Sequence, residues 1–387
     1  MKHTAFIIFL SVVLTLYSLM NFYVIRRGLQ ALPAHGWPRG LFLLLIISLA
    51  AAYPLGRWIE RSINSAVGNL LIQVGAYYIA LLVFAMLVLL IVDLVRFADH
   101  FFAFTPATWR GGHNGASLKL FLLVSAVVGI TTLTGAINAR YPRVRHLALE
   151  FEKPAPIDHL RLVLATDIHL GTLIHNSRME ELVELINAQA PDLILFGGDL
   201  FDEDVLSLSR QNMAEVLRKL SARHGIYAIP GNHEHISGIG RAIEYMESAG
   251  ITVLRDRAVK AAGAVWLIGR EDRQATYFGA GRLGLDELMA TVDKNEPLIL
   301  LDHQPFHLEE AEQQGIDLQL SGHTHHGQFF PFNYITESMY EVSWGYLKKG
   351  RTHYYVSCGA GTWGPPVRLG NRPEIVVIDL TFSPRRD

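Results

Sequence analysis

The sequence predicts two architectures in series: an all-α transmembrane region of about four helices, then an α/β domain. Three observations predict it. Four long apolar runs occupy the front of the 387-residue chain. Behind them, strand-like and helix-like segments alternate, the pattern of a largely parallel sheet covered by helices. Five short polar clusters each close a stretch that reads as a buried strand, and in an open α/β sheet the carboxyl ends of the strands form the ligand crevice.

The chain is 50% hydrophobic and only 18% charged, and the apolar excess sits at the front. Its runs cover 6–25, 37–55, 70–92 and 118–137. A helix needs about twenty residues to cross the hydrocarbon core. The second run reaches that length only with its flank from Trp37 and is broken by Pro54. The first run closes on Arg26 and Arg27 with no small-residue cleavage pattern after it, so a retained helix is expected rather than a signal peptide. Phe97, Phe101, Phe102 and Phe104 cluster after the third run like an interfacial belt. Gln73, Tyr77 and Tyr78 inside that run read as helix–helix packing. With no ionisable residue mid-span, the region reads as an anchor and not an ion path. Lys and Arg divide almost evenly between the two sides of such a multi-pass arrangement, so orientation in the cell membrane is left open.

The net charge is −2 with no basic run, which gives a nucleic-acid partner no electrostatic footing. A single cysteine, Cys358, rules out an intramolecular disulfide and reads as a small buried apolar residue.

Residues 141–156 are rich in Arg and Pro and read as a linker with the first strand; 157–387 form the α/β domain. The strands that precede the polar clusters are LRLVLAT, DLILFGG, IYAIP, LILL and LQLSG. Met179 to Ala190, Ser209 to Arg223 and Gly240 to Ala249 read as amphipathic helices. Two further strand-like runs, YYVS and EIVVIDL, close the chain.

The clusters are Asp167-Ile168-His169, Gly198 to Asp202, Gly231 to Glu234, Asp302-His303 and Gly322 to His325. They offer oxygen and nitrogen donors and no thiolate, a set suited to divalent ions used as Lewis acids. Singly, each has a plain structural reading as a turn or a satisfied histidine. Jointly, with spacings of 32 and 33 residues between Asp167, Asp199 and Asn232, they point to a metal site.

As they stand, the motifs DIH, GDLFD, GNHE, the His of LDHQP and GHTHHGQ resemble those of the calcineurin-like metallophosphoesterase superfamily, over about residues 144 to 387. The ending GRTHYYVSCGAGTWGPPVRLGNRPEI is similar to its membrane-associated phosphohydrolase branch. The resemblance implies a four-layer α/β/β/α sandwich with two divalent ions (Mn, Fe or Zn). Carried over, Asp167, His169 and His325 would hold one ion, Asn232, His303 and His323 the other, and Asp199 would bridge them. His233 would be the catalytic acid, backed by Asp202. One departure is His326, where this branch usually has glycine.

The physics agrees. Two divalent cations bring four positive charges and the two aspartates cancel two, leaving a net pull on a phosphate oxyanion. Metal coordination lowers the pKa of water from 15.7 towards about 7, so hydroxide is on hand at neutral pH. Asp202 beside His233 would fix its tautomer and favour its protonated form. Arg368 is a candidate for binding substrate phosphate or for a structural ion pair. Asp272 reads as a loop carboxylate or a site residue, and His175, His224, His235 and His353 as surface or supporting histidines.

The expected function is therefore that of a membrane-anchored phosphohydrolase. Its substrate would be a phosphodiester, a monoester or a lipid-linked pyrophosphate, since relatives in the branch act on UDP-diacylglucosamine-type lipid precursors. The alternative is a membrane sensor or scaffold that uses the same fold for regulation or binding.

Overall fold

The computed structural model describes residues 2–63, 66–105, 114–202 and 204–384. The chain divides into two compact units, Met1–Ala136 and Ile137–Asp387.

The first unit is helical. Its helices are Lys2–Ala31, Trp37–Ile63, Ala66–Phe102 and Asn114–Arg140, whose last turn belongs to the second unit. Three segments, Trp37–Glu60, Ala66–Phe102 and Ser117–Arg140, are long and apolar enough to cross a membrane. Pro54 does not end the second helix but lies within it. The apolar side chains face outward: Leu44, Ile91 and Ile130 are all more than half exposed, as are Phe97, Phe101, Phe102 and Phe104. Polar groups bind one another instead. The Tyr17 hydroxyl donates to Ala50 O at 2.9 Å, and Tyr78, buried, donates to the Asn21 side chain. Tyr78 thus does the packing expected of it, while Tyr77 faces outward. Asp93 accepts from the Tyr23 hydroxyl at 2.7 Å and pairs with Arg27.

The second unit contains twelve strands among its described residues: β1 (Arg143–Pro154), β2 (His159–Ala165), β3 (Leu193–Phe196), β4 (Ile226–Ala228), β5 (Thr252–Val253), β6 (Arg257–Ala261), β7 (Val265–Gly269), β8 (Leu298–Leu301), β9 (Leu318–Ser321), β10 (Gly345–Lys349), β11 (Thr352–Val356) and β12 (Glu374–Ser383). They form two six-stranded sheets, in the orders β1-β12-β2-β3-β4-β5 and β10-β11-β9-β8-β7-β6. The single largely parallel sheet read from the strand–helix alternation is therefore two mixed sheets. LILL and LQLSG lie in the second, beside VWLIG. A strand buried on both faces is a continuous apolar run, and nothing in such a run says which sheet it joins.

Side-chain alternation builds the layers. On β2, Val163 faces the helices, with Met179, Val183 and Ile186 of Asn176–Asn187. Its neighbours Leu162 and Leu164 face the other sheet, meeting Leu267, Ile299 and Leu320. Leu298 and Leu300 of β8 turn outward to Leu308 and Ala311 on the far helix. This is the four-layer α/β/β/α sandwich that the resemblance implies.

One local reading differs. The expected helix Ser209 to Arg223 is two short helices, Val205–Arg210 and Met213–Leu217, separated where Asn212 adopts a left-handed conformation at φ 54°. The first strand expected within 141–156 spans Arg143–Pro154 and pairs in parallel with β12 nearly throughout.

Candidate metal centre

Every sequence-predicted ligand lies in a segment that leaves the carboxyl end of a parallel strand. Asp167 and His169 follow β2, Asp199 and Asp202 follow β3, and Asn232 and His233 open the helix Asn232–Ser237 after β4. His303 follows β8; His323 and His325 follow β9. The first sheet delivers one set, the second the other, and they meet where the sheets face each other.

Two donor groups come together around one carboxylate. In the first, His169 Nε2 and His325 Nε2 stand 3.0 Å apart, with Asp167 Oδ1 3.6 Å from the latter. In the second, His323 Nδ1 is 2.8 Å from Asn232 Oδ1. Asp199 Oδ2 lies 3.2 Å from His303 Nε2 and 3.8 Å from His169 Nε2, so it touches both groups. Asp167, His169, Asp199 and His303 are all at most 2% exposed.

This donor chemistry fits divalent cations. His303 Nδ1 faces Gly197 O at 2.8 Å, an N–H to carbonyl bond that turns Nε2 towards the carboxylates. That Nε2 is buried and makes no hydrogen bond, despite the nearness of Asp199. Burial, the Arg368 guanidinium and neighbouring His169 hold His325 well below the ordinary histidine pKa; burial and His303 lower His323. Both are thus neutral, as metal ligation requires. For Asp199, burial opposes ionisation, but His303, His233 and His169 outweigh it and hold the carboxyl well below its usual range. The reverse holds for His303: burial opposes its charge, while Asp199 and Asp167 draw a proton onto it.

The backbone is bent to serve this arrangement. Asp167, His169, Asp199, His323 and His325 all have positive φ, between 46° and 72°. Such residues in the left-handed region cost of order 1–3 kcal/mol each and persist where surrounding structure holds them. Two glycines let backbone reach the carboxylates: a Cβ on Gly231 would stand 2.1 Å from Asp199 Oδ1, and one on Gly322 would stand 2.2 Å from Asp167 Oδ2. Backbone N–H groups then hold the aspartates. His233 N donates to Asp199 Oδ1 at 2.9 Å, and His323 N donates to both Asp167 oxygens at 2.9 and 3.0 Å.

Asp202 Oδ1 stands between two imidazoles, 3.0 Å from His233 Nδ1 and 3.3 Å from His169 Nδ1, off the line of a full hydrogen bond to either. Burial would lower the His233 pKa, but Asp202 and the charges of Asp199 and Glu234 push it up to about 9.

Glu234 and Asp302, which carry no role in the sequence motifs, help to hold this centre, and Asp272 joins them. Glu234 is fully buried, and its carboxylate accepts from Asp199 N (3.1 Å), Phe201 N (2.9 Å) and Gly231 N (2.7 Å). It clamps the loop after β3 to the loop after β4. The signal was present: Glu at the third helical position after a glycine cap is capping-box spacing. Asp302 is gripped by Arg270 at 3.2 Å and Arg282 at 2.6 Å, which fixes the segment that presents His303. Asp272, also buried, caps Arg273–Phe278 and accepts from Gln304 next to His303.

Arg368 does not face the crevice. It has no exposed surface; Nη1 donates to Asn371 Oδ1 at 2.8 Å, while Nε and Nη2 donate to Gly361 O at 3.0 and 2.7 Å. Nη2 also lies 3.1 Å from His325 Nδ1. With its donors engaged by carbonyls and the Asn371 amide, the side chain makes no ion pair among the described residues and backs His325. His326 is left-handed at φ 46° and turns to Ser343 Oγ at 2.9 Å and the Trp344 ring. His235 and His353 are buried rather than superficial, held by Glu271 at 2.8 Å and by the Tyr346 hydroxyl at 2.8 Å. Cys358 is buried as expected, and burial pushes its thiol up to about 12.

A four-layer sandwich with a buried cluster of nitrogen and oxygen donors between its sheets defines a metal-dependent hydrolase. The family model described as calcineurin-like phosphoesterase matches residues 160–327. An uncharacterised metallophosphoesterase of Helicobacter pylori is 34% identical over 284 residues, covering 72% of this chain and 73% of that protein. A transmembrane protein with metallophosphoesterase domain of Danio rerio is 34% identical over 67% of this chain and 62% of its own length. An uncharacterised metallophosphoesterase of Campylobacter jejuni aligns over 97% of this chain and 98% of itself at 26% identity. The chain belongs to the calcineurin-like phosphoesterase family and is a metal-dependent phosphoesterase; its apolar helices associate it with a membrane.

Proposed function

We propose that the protein is a multi-pass phosphohydrolase of the cell membrane with a dinuclear metal centre, acting on a phosphodiester, a monoester or a lipid-linked pyrophosphate. The observation that carries this reading is the position of Asp199, within 3.8 Å of a ligand nitrogen from each donor group. Asp167, His169 and His325 would hold one ion and Asn232, His303 and His323 the other, with Asp199 shared. Such a pair supplies Lewis acidity towards the phosphoryl oxygens and an activated water.

The protein's own groups do the rest. The fixed carboxylates and backbone N–H bonds hold the ligands before substrate arrives, so little reorganisation is needed during turnover. Asp202 keeps a proton on the His233 Nδ1 side, which leaves the Nε2 side of a protonated imidazole to donate to the departing oxygen. The same carboxylate oxygen approaches His169 Nδ1, so it also orients a ligand towards the metal through its other nitrogen.

The test is metal content and turnover together. The full chain in detergent, loaded with Mn²⁺ and freed of excess, should carry two ions and hydrolyse a chromogenic phosphodiester; a chelator should stop it and Mn²⁺ restore it. Asp199→Asn should lose turnover and bind less than two ions while keeping its circular dichroism. Full turnover with Asn at this position would remove the shared-ligand assignment.

A further inference from the structure

We propose that the rim of the metal-site crevice docks on the lipid bilayer, so that the site draws its phosphoester from a membrane amphiphile. What the docked crevice does rests on the phosphohydrolase reading; the docking itself does not.

The rim is apolar where a soluble enzyme would be polar. Ile236, Tyr277, Phe278, Phe330, Tyr334 and Trp363 are between 49% and 70% exposed. Trp363 and Ile236 lie next to site residues, and the others lie on segments tied to these two. The Trp363 ring stands 6.0 Å from that of His233, and its backbone is held at both ends by the Gln328 side chain. Ile236 lies on the short helix that carries Asn232 and His233, and Phe278 stacks at 6.2 Å on His235 of the same helix. Phe330, two residues beyond Gln328, packs against Tyr334 at 5.9 Å. Single exposed apolar residues need no explanation, but a set gathered around one crevice marks an interaction surface.

Topology says what covers it. β12 runs antiparallel to β2, with Val376 opposite Leu164, and β1 runs parallel to β12, with Arg143 opposite Glu374. The start of β1 therefore lies at the same end of the sheet as the end of β2, where Asp167 and His169 follow, one strand away across β12. Only Tyr141 and Pro142 separate β1 from Arg140, where an apolar helix able to cross a membrane ends. The last turn of that helix is tied to the site's backing: Asn138 Nδ2 donates to Arg368 O at 3.1 Å and Asn371 O at 2.6 Å, and Asn371 Nδ2 donates to His325 O at 2.8 Å. The point where the chain would leave the bilayer is two hydrogen bonds from a metal ligand.

Chemistry agrees with topology. Tyr and Trp suit the headgroup level of a membrane, with an apolar body and a polar tip. Apolar groups of interfacial elements sit roughly 5–10 Å into the headgroup–acyl boundary. Around the same end, Arg140 pairs with Glu181, Arg143 and Arg145 share Glu374, and Arg372 binds Tyr141 O, an excess of positive charge suited to anionic lipid.

The experiment uses the full chain in vesicles of phosphatidylcholine and phosphatidylglycerol. Cys358 is buried and leaves the surface free for single labels. Phe278→Cys and Tyr334→Cys each take an environment-sensitive fluorophore, and Glu152→Cys, near the opposite end of β1, is the control. Docking predicts blue-shifted emission at 278 and 334, quenched by lipids spin-labelled in the acyl chain several times more strongly than at 152. Water-like emission at all three positions would overturn the proposal. So would a blue shift without lipid quenching, the mark of cover by a second copy of the chain. No readout depends on turnover, so an inactive Asp199→Asn chain should dock equally well, and failure of docking leaves the hydrolase reading standing.

Discussion

The helical unit and the catalytic unit handle polar groups in opposite ways. In the helices, polar residues meet in small sets: Tyr78 with Asn21, Tyr17 with a backbone carbonyl, Asp93 with Arg27 and Tyr23. The apolar majority faces outward, as suits a medium as apolar as the helices. In the sandwich, apolar side chains fill the three spaces between layers, and at the metal centre several aspartates and histidines are buried together. The lesson is that isolated polar contacts in an apolar medium stabilise a fold slightly, whereas a concentrated set in a water-excluding core costs stability and performs chemistry.

That contrast can be broken by substitution, and the effects should fall in order. Asp199→Asn should be the largest: phosphodiester hydrolysis at the level of buffer, with the melting transition little changed. His233→Ala should lower the rate by about 10²–10⁴, the usual contribution of a proton-transfer group, while metal content stays near wild type. Loss of metal would make His233 a ligand and not an acid. Glu234→Gln places an amide N–H₂ against three backbone donors that now share one carboxylate. Metal affinity or activity should drop about 10–100-fold, as for groups that orient ligands, and a mass-spectrometric metal count would read it. The smallest effect belongs to the helices: Tyr78→Phe should shift unfolding in mixed micelles by about 0.6 kcal/mol, the average for a hydrogen bond between membrane helices, with hydrolysis unaltered. A Tyr78→Phe effect as large as that of Glu234→Gln would erase the distinction between the units.

Much of the site was legible along the chain. Asp167, Asp199, Asn232, His303, His323 and His325 each follow an apolar run directly, and a donor at a strand end has only one crevice to enter. What stayed hidden was support. Glu234 looked like one more acidic residue beside a histidine until its three N–H partners, drawn from two loops, were in view. Arg368, read as a candidate for the phosphate, proved to lie beneath His325 with its donors taken. A charged side chain looks the same in sequence whether its partner is a ligand or a carbonyl ten residues away.

The sequence by itself determined the apolar front, the strand–helix alternation, the donor set and the family's motifs, because periodicity and residue chemistry are local properties. Only the tertiary structure decided which strands join which of the two face-to-face sheets, which atom of Asp199 reaches each donor group, and that exposed aromatics such as Trp363 stand near His233. Those are relations between residues far apart along the chain. Their energy comes from packing and charge in three dimensions, where distance along the chain no longer counts.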